Sequence, residues 1–380
     1  MSWVTVRQFR WTTRTGVDDY PRVEEVHPLS GRKRLPVNVA EVIHVNALAP
    51  AGATGVRYGV RLDELRLLAN YLSVSPGRPV RLRQDDFRSS SLHVRRFVSE
   101  SFGLGMLTAA VQAAYEWTAG VDALSSFDAL PMTLAASFTK RGVRPDLLFQ
   151  APGLLLAGEA RGRSGKPPRS TRLPRERLDQ LLPWAHVHRH PLVMTWAYLD
   201  GNGVVVDFFA PADGVDWLTE AVGAPDPADH ATSALQLPPT EQVPLEEVAD
   251  LPVLKPRPRP DQQSPFSLFE VGYGALRAVE DQLAETAPPA PVRLAGRPTR
   301  GRWAPVDPVT GARGSVLLAL LDRPMPSAEA TALARRWRER HRRAGTDGLA
   351  AGDLAVAVHG RTVVALAPSR NGQPWDMLAE

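Results

Sequence analysis

The chain has 380 residues, 43% of them hydrophobic and 23% charged, which is enough for two or three domains with their own cores and excludes a fibrous or disordered class. Its net charge of +4 is too small to name a partner, and the absence of cysteine excludes a disulfide scaffold and thiolate chemistry. No apolar run reaches the roughly 18 residues of a membrane span. The start, Met1-Ser2-Trp3-Val4-Thr5-Val6-Arg7, lacks the layout of a signal peptide, so the expectation is a soluble, cytoplasmic protein with no membrane partner.

Residues 1–88 read as a β-rich N-terminal region. Trp3-Val4-Thr5-Val6 and Val42-Ile43-His44-Val45 read as strands, with Arg32-Lys33-Arg34 in a loop between them. A short helix is predicted over residues 63–71, capped by Asp63 and burying Leu65, Leu68 and Tyr71. From residue 91 to 117 apolar positions recur at three- and four-residue steps, the mark of a longer helix. Gly103 and Gly105 interrupt it, as a kink or as close packing against a sheet. Residues 132–139 read as the first strand of that sheet, turning at Lys140-Arg141-Gly142.

Residues 143–207 hold the most informative pattern. Val143-Arg144-Pro145-Asp146-Leu147-Leu148-Phe149 and Leu154-Leu155-Leu156-Ala157-Gly158-Glu159-Ala160-Arg161-Gly162-Arg163 each read as a short buried strand carrying one acid. A helix over 175–188 follows, then strands 192–199 and 204–209 joined by Asp200-Gly201-Asn202-Gly203. Asp146 and Glu159 stand thirteen positions apart on adjacent strands and can converge as hard oxygen ligands for Mg²⁺ or Mn²⁺. Arg161, two residues after Glu159, points to the same face. Between Lys140 and His190 eleven Lys and Arg meet four acids, a local charge of +7. Arg144, Arg163, Lys166, Arg169 and Arg172 are therefore the expected nucleic-acid contacts, most of them in a loop that also reads simply as solvated. Gly162-Arg163-Ser164-Gly165-Lys166 is not a phosphate loop, because Ala160 replaces the first glycine and Pro167 the Ser or Thr. His186, His188 and His190 end the helix without a second cluster that would make a zinc site.

After a short helix at 213–222, residues 223–265 form a Pro-rich linker containing Lys255-Pro256-Arg257-Pro258-Arg259-Pro260. Residues 266–380 read as a small C-terminal α+β domain: helix 267–285, a second Pro-rich stretch at 287–308, strand 315–321, helix 327–343, and a hairpin of 354–358 and 363–366 turning at His359-Gly360-Arg361. Arg335, Arg336, Arg338, Arg340, Arg342 and Arg343 line its helix opposite Leu333 and Trp337, either to meet phosphates or an acidic partner or as solvated side chains. A homodimer or a protein partner through this domain is a further expectation.

Pro145-Asp146 followed by Glu159-Ala160-Arg161 resembles the PD-(D/E)xK nuclease superfamily, with arginine in place of the motif lysine, over about residues 89–222. The resemblance implies an α/β protein with a restriction-endonuclease-like core, a mixed central sheet flanked by helices. It also implies Mg²⁺-dependent hydrolysis of phosphodiester bonds, in DNA by default, in a setting such as antiviral defence. It makes Asp146 and Glu159 the metal ligands and adds Glu100, on the preceding helix, as a third, Glu116 being the weaker choice. In exonuclease-like branches a helix after the lysine bears Gln and an aromatic residue; Gln180 and Trp184 occupy those places. Arg161 can bind phosphate but cannot relay a proton. Only four of the 45 basic residues are lysines, so three readings stay open: Arg161 is tolerated, Lys140 or Lys166 reaches in, or the site is inactive. The alternative function is a catalytically inactive nuclease-like fold serving as a nucleic-acid-binding or assembly subunit; a third reading is a structural protein that never meets nucleic acid.

Overall fold

The computed structural model of the protein describes residues 2–16, 20–49, 56–74, 77–115, 117–118, 123–126, 143–151, 154–188, 190–212, 268–306, 314–344, 354–368 and 374–378. The strand expected at 132–139, Lys140, Glu116, the helix at 213–222 and the linker at 223–265 lie outside these residues.

An eight-stranded mixed sheet forms the centre. In chain order its strands are β1 (Ser2–Thr15), β2 (Pro21–Pro28), β3 (Lys33–Val37), β6 (Ala123–Ser126), β7 (Leu147–Ala151), β8 (Leu154–Ser164), β9 (Leu192–Leu199) and β10 (Val205–Pro211), arranged β2-β1-β10-β9-β8-β7-β6 with β3 on β1. β4 (Leu72–Ser73) and β5 (Arg81–Leu82) make a separate ribbon. β6, β7 and β8 run antiparallel in turn, β8 and β9 are parallel, and β9 and β10 antiparallel.

Parallel pairing of β8 with β9 requires a crossover, which α5 (Arg172–His188) supplies. Its Leu178, Leu181, Leu182 and Trp184 pack on Ala157, Met194, Trp196 and Phe209 on one face of the sheet. The other face carries Val6, Leu156, Ala160, Val193 and Phe208 and is covered by α1 (Val39–Leu48), α2 (Tyr58–Asn70) and α4 (Leu92–Tyr115). The short α3 (Gln84–Ser89) leads into α4.

The N-terminal region contributes strands to the central sheet. β1 pairs in parallel with β10, Thr5 beside Val205 and Phe9 beside Phe209, so the chain's first strand completes the central sheet. Arg34, expected in a loop with Arg32 and Lys33, lies in β3, which begins at Lys33. Val42-Ile43-His44-Val45, expected as a strand, is helical. Asn38 accepts a hydrogen bond from Ala40 N at 3.2 Å and starts α1, and the run is apolar because neighbours bury it on nearly every side.

α4 runs without a break through Gly103 and Gly105, which let it approach its neighbours. A Cβ at Gly103 would stand 2.8 Å from the carbonyl carbon of Arg161, one at Gly105 2.2 Å from Val42 O, and one at Gly162 on β8 1.6 Å from Ser99 O.

The C-terminal part is an antiparallel sheet, β11 (Thr299–Val306), β12 (Gly314–Met325) and β13 (Ala355–Pro368). One face packs on α7 (Ser327–Ala344) through Leu333 and Trp337; the other joins the central core through Val316, Leu318 and Val364, together with α6 (Leu268–Thr286). Tyr58 on α2 fastens the two parts, its hydroxyl accepting from Arg302 N at 2.7 Å. The expected hairpin at His359-Gly360-Arg361 is instead one strand, β13, which pairs with β12 from Thr362 to Pro368 and again at Gly360, opposite Met325. There the register shifts, and Gly360 takes φ +59°, which favours glycine. No helix among the described residues is long and apolar enough to cross a membrane.

Candidate functional site

The two acids meet at the β7–β8 pair. Asp146 stands just before β7; its backbone N–H donates to Gly158 O at 3.0 Å and its Oδ2 accepts from Ala160 N at 2.8 Å. Asp146 thus brackets Glu159 from the neighbouring strand. Alternation along β8 sends Leu156 and Ala160 toward α4, and Ala157, Glu159, Arg161 and Arg163 toward the α5 face.

Glu159 is fully buried, at 0% exposure. Its Oε1 accepts from Arg161 Nη2 at 2.7 Å and from Arg177 on α5, Nε at 2.8 Å and Nη2 at 2.6 Å. Its Oε2 is shielded from solvent and has no hydrogen-bond partner. Burial, then the negative charge of Asp146, push the Glu159 carboxyl up to about 8, against the pull of the two guanidinium groups. The group therefore exchanges its proton close to neutral pH.

Gln180 is exposed and joins at one remove, its Oε1 accepting from Arg177 Nη1 at 3.1 Å while its carbonyl accepts from Val143 N. Trp184 lies in the apolar core beneath α5, not beside the carboxylates. Glu100 is not brought to the site: α4 covers the opposite face of the sheet, and the Glu100 carboxylate accepts from Arg96 Nε at 2.8 Å at the surface. Arg144 is half-buried beside Pro145; Arg163, Lys166, Arg169 and Arg172 are exposed, and Arg172 pairs with Glu176 at 2.8 Å. Arg177 is the residue that sequence reasoning missed as a site member. Its only local signal is that it precedes Leu178 and Leu181 on the buried side of an amphipathic helix.

The donor set fits a hard divalent cation of the kind the resemblance implies. Glu159 presents a buried carboxylate oxygen without a partner, a state that a cation relieves, and Asp146 supplies a second carboxylate nearby. Among the described residues no group of three His, Cys, Asp or Glu gathers. No family model, no curated protein and no solved structure matches this chain.

Proposed function

We propose that the chain is a metal-dependent phosphodiesterase acting on nucleic acid, DNA by default, with a restriction-endonuclease-like core. The observation that carries this reading is the buried Glu159, bracketed by Asp146, with one oxygen unpartnered and the other held by two arginines. The mixed sheet, with antiparallel β6–β7–β8, crossover α5 and parallel β9 and with α4 and α5 on its two faces, supports it, because a mixed central sheet flanked by helices is what the resemblance calls for.

Asp146 and Glu159 would hold Mg²⁺ or Mn²⁺, which when bound lowers the pKa of a water and offsets charge on the phosphate. Glu159 must be ionised to bind it. Arg161 and Arg177 each carry several donors in a fixed fork, so either can turn from Glu159 Oε1 to a phosphate oxygen and stabilise the charge that develops there. Neither can take a proton from water. A role in defence against foreign DNA rests on the superfamily resemblance alone.

One observation favours the second reading, an inactive nuclease-like fold serving as a nucleic-acid-binding or assembly subunit. Arg161 and Arg177 already occupy Glu159 Oε1 without a cation. Incubating plasmid and single-stranded DNA with Mg²⁺ or Mn²⁺ separates the two. Cleavage that disappears in Asp146→Asn and Glu159→Gln, with binding retained, supports the enzyme; wild-type binding without cleavage supports the subunit.

A further inference from the structure

The α5 face of the central sheet carries a second set of charges beyond the carboxylates. Register sets Arg161 beside Trp196, Trp196 beside Asp207, and Asp207 beside Arg7 on four adjacent strands. At about 4.8 Å per strand the row spans roughly 14 Å. Arg163, two residues beyond Arg161 on β8, is exposed and lies over Trp196, its guanidinium carbon 4.9 Å from the ring centroid, within the gap between the ends of the row. At the far end Arg7 Nε and Nη2 each donate to Asp207 at 2.6 Å. Arg32, exposed in the turn between β2 and β3, is close enough for its charge to favour ionised Asp207. The carbonyl of Pro168 accepts from Arg7 at 3.4 Å, tying the loop that carries Lys166 and Arg169 to the same end.

The Arg7–Asp207 pair needs a reason. A carboxylate at 3% exposure is costly to bury, and an apolar pair of similar volume commonly stabilises a fold as well or better. What the pair does supply is orientation, since a fork held at two points leaves its other edge fixed in direction. Along the row, Arg161, Arg163, Arg7 and Arg32 outnumber Glu159 and Asp207, so the strip is positive.

We propose that Arg161, Arg163, Arg7 and Arg32 form a phosphate track receiving the nucleic-acid strand that extends from the carboxylates, with Asp207 positioning Arg7. The proposal rests on the phosphodiesterase reading of the site. At 3.4 Å of rise per nucleotide a row of about 14 Å meets several successive phosphates of one strand.

The test is anisotropy of labelled duplex and single-stranded oligonucleotides across a salt series in EDTA, alongside cleavage in Mg²⁺. The variants are Arg163→Gln, Arg32→Gln and the double Arg7→Gln/Asp207→Asn, which leaves no unpaired buried charge. Each arginine removed is expected to make the plot of log affinity against log salt shallower by about 0.9 for duplex or about 0.7 for single strands. Arg7→Lys, which keeps the charge, is expected to keep the slope. Unchanged slopes in all three folded variants overturn the track, as does a wild type whose binding ignores salt. Slopes that fall in a wild-type background without cleavage uphold the track and overturn the enzyme reading; cleavage with unmoved slopes does the reverse.

Discussion

Glu159 sets the most direct chemical expectation. Its carboxyl, raised to about 8, must lose a proton before a cation can use it. Mn²⁺ affinity, measured by calorimetry between about pH 6 and 9, is therefore expected to climb about tenfold per pH unit below 8 and level off above it, with one proton released per ion. Affinity that does not change with pH would remove Glu159 from the ligand set. Stability should move the opposite way. An acid whose folded pKa lies above its ordinary 4.5 contributes stability fully present below that value and lost as pH rises through about 8. Without metal, the melting temperature of Glu159→Gln relative to wild type is expected to shift in the variant's favour across that window. That Glu159 and Arg161 share a face was legible because strand alternation fixes it from sequence alone. Arg177 and Glu100 were not, because a helix's rotation about its axis is set by what it packs against, and α4 and α5 cover opposite faces of the sheet.

Among the elements, the contact of α4 with β8 holds the site-bearing strand in place. Backbone approaches backbone there, and a methyl group at position 162 would collide with the carbonyl of Ser99. Gly162→Ala is expected to destabilise the fold toward the upper end of about 1–3 kcal/mol, read from denaturant midpoints. Gly274→Ala on α6, where an added Cβ meets nothing within 4 Å, is expected to be neutral or to stabilise by about 0.5–1 kcal/mol. Equal effects would show that the α4 contact is not tight. The same contact answers what the sequence left open at Gly103, and the approach of Val42 on α1 answers it at Gly105, because spacing marks a small residue without saying what lies against it. α1 had a local signal that the β-branched run at residues 42–45 obscured. Asn38 accepts from Ala40 N and donates to Glu41 Oε1 at 3.0 Å, a start signal resembling a capping box.

At the scale of the whole molecule, the elements were more legible than their assembly. Alternation in β1 marks a strand, yet nothing local says that its partner lies in β10, some two hundred residues on. β12 and α7 follow local patterns and were readable, but β11, which lies within the stretch read as Pro-rich, the continuity of β13 and the docking of this sheet on α1 were not. His44 lies at that docking surface, its ring 4.4 Å from the ring of His359 on β13 and its Nε2 buried without a partner. Burial, then His359, hold its pKa well below the ordinary 6.5, against a hydrogen bond with the Thr362 backbone. Glu280 on α6 is engaged nearby, accepting from Thr362 Oγ1 and Arg361 N. A base depressed in this way contributes stability present above about 6.5 and lost as pH falls toward its folded value, because the unfolded chain takes up the proton first. Acidification is therefore expected to loosen the C-terminal sheet from α1, seen as faster amide exchange in α1 and β13 at about pH 5 than at pH 7 after correction for intrinsic rates. In His44→Leu, which has no proton to gain, that acid-induced difference should shrink. If wild type and variant lose protection equally, the acid sensitivity belongs to groups other than His44.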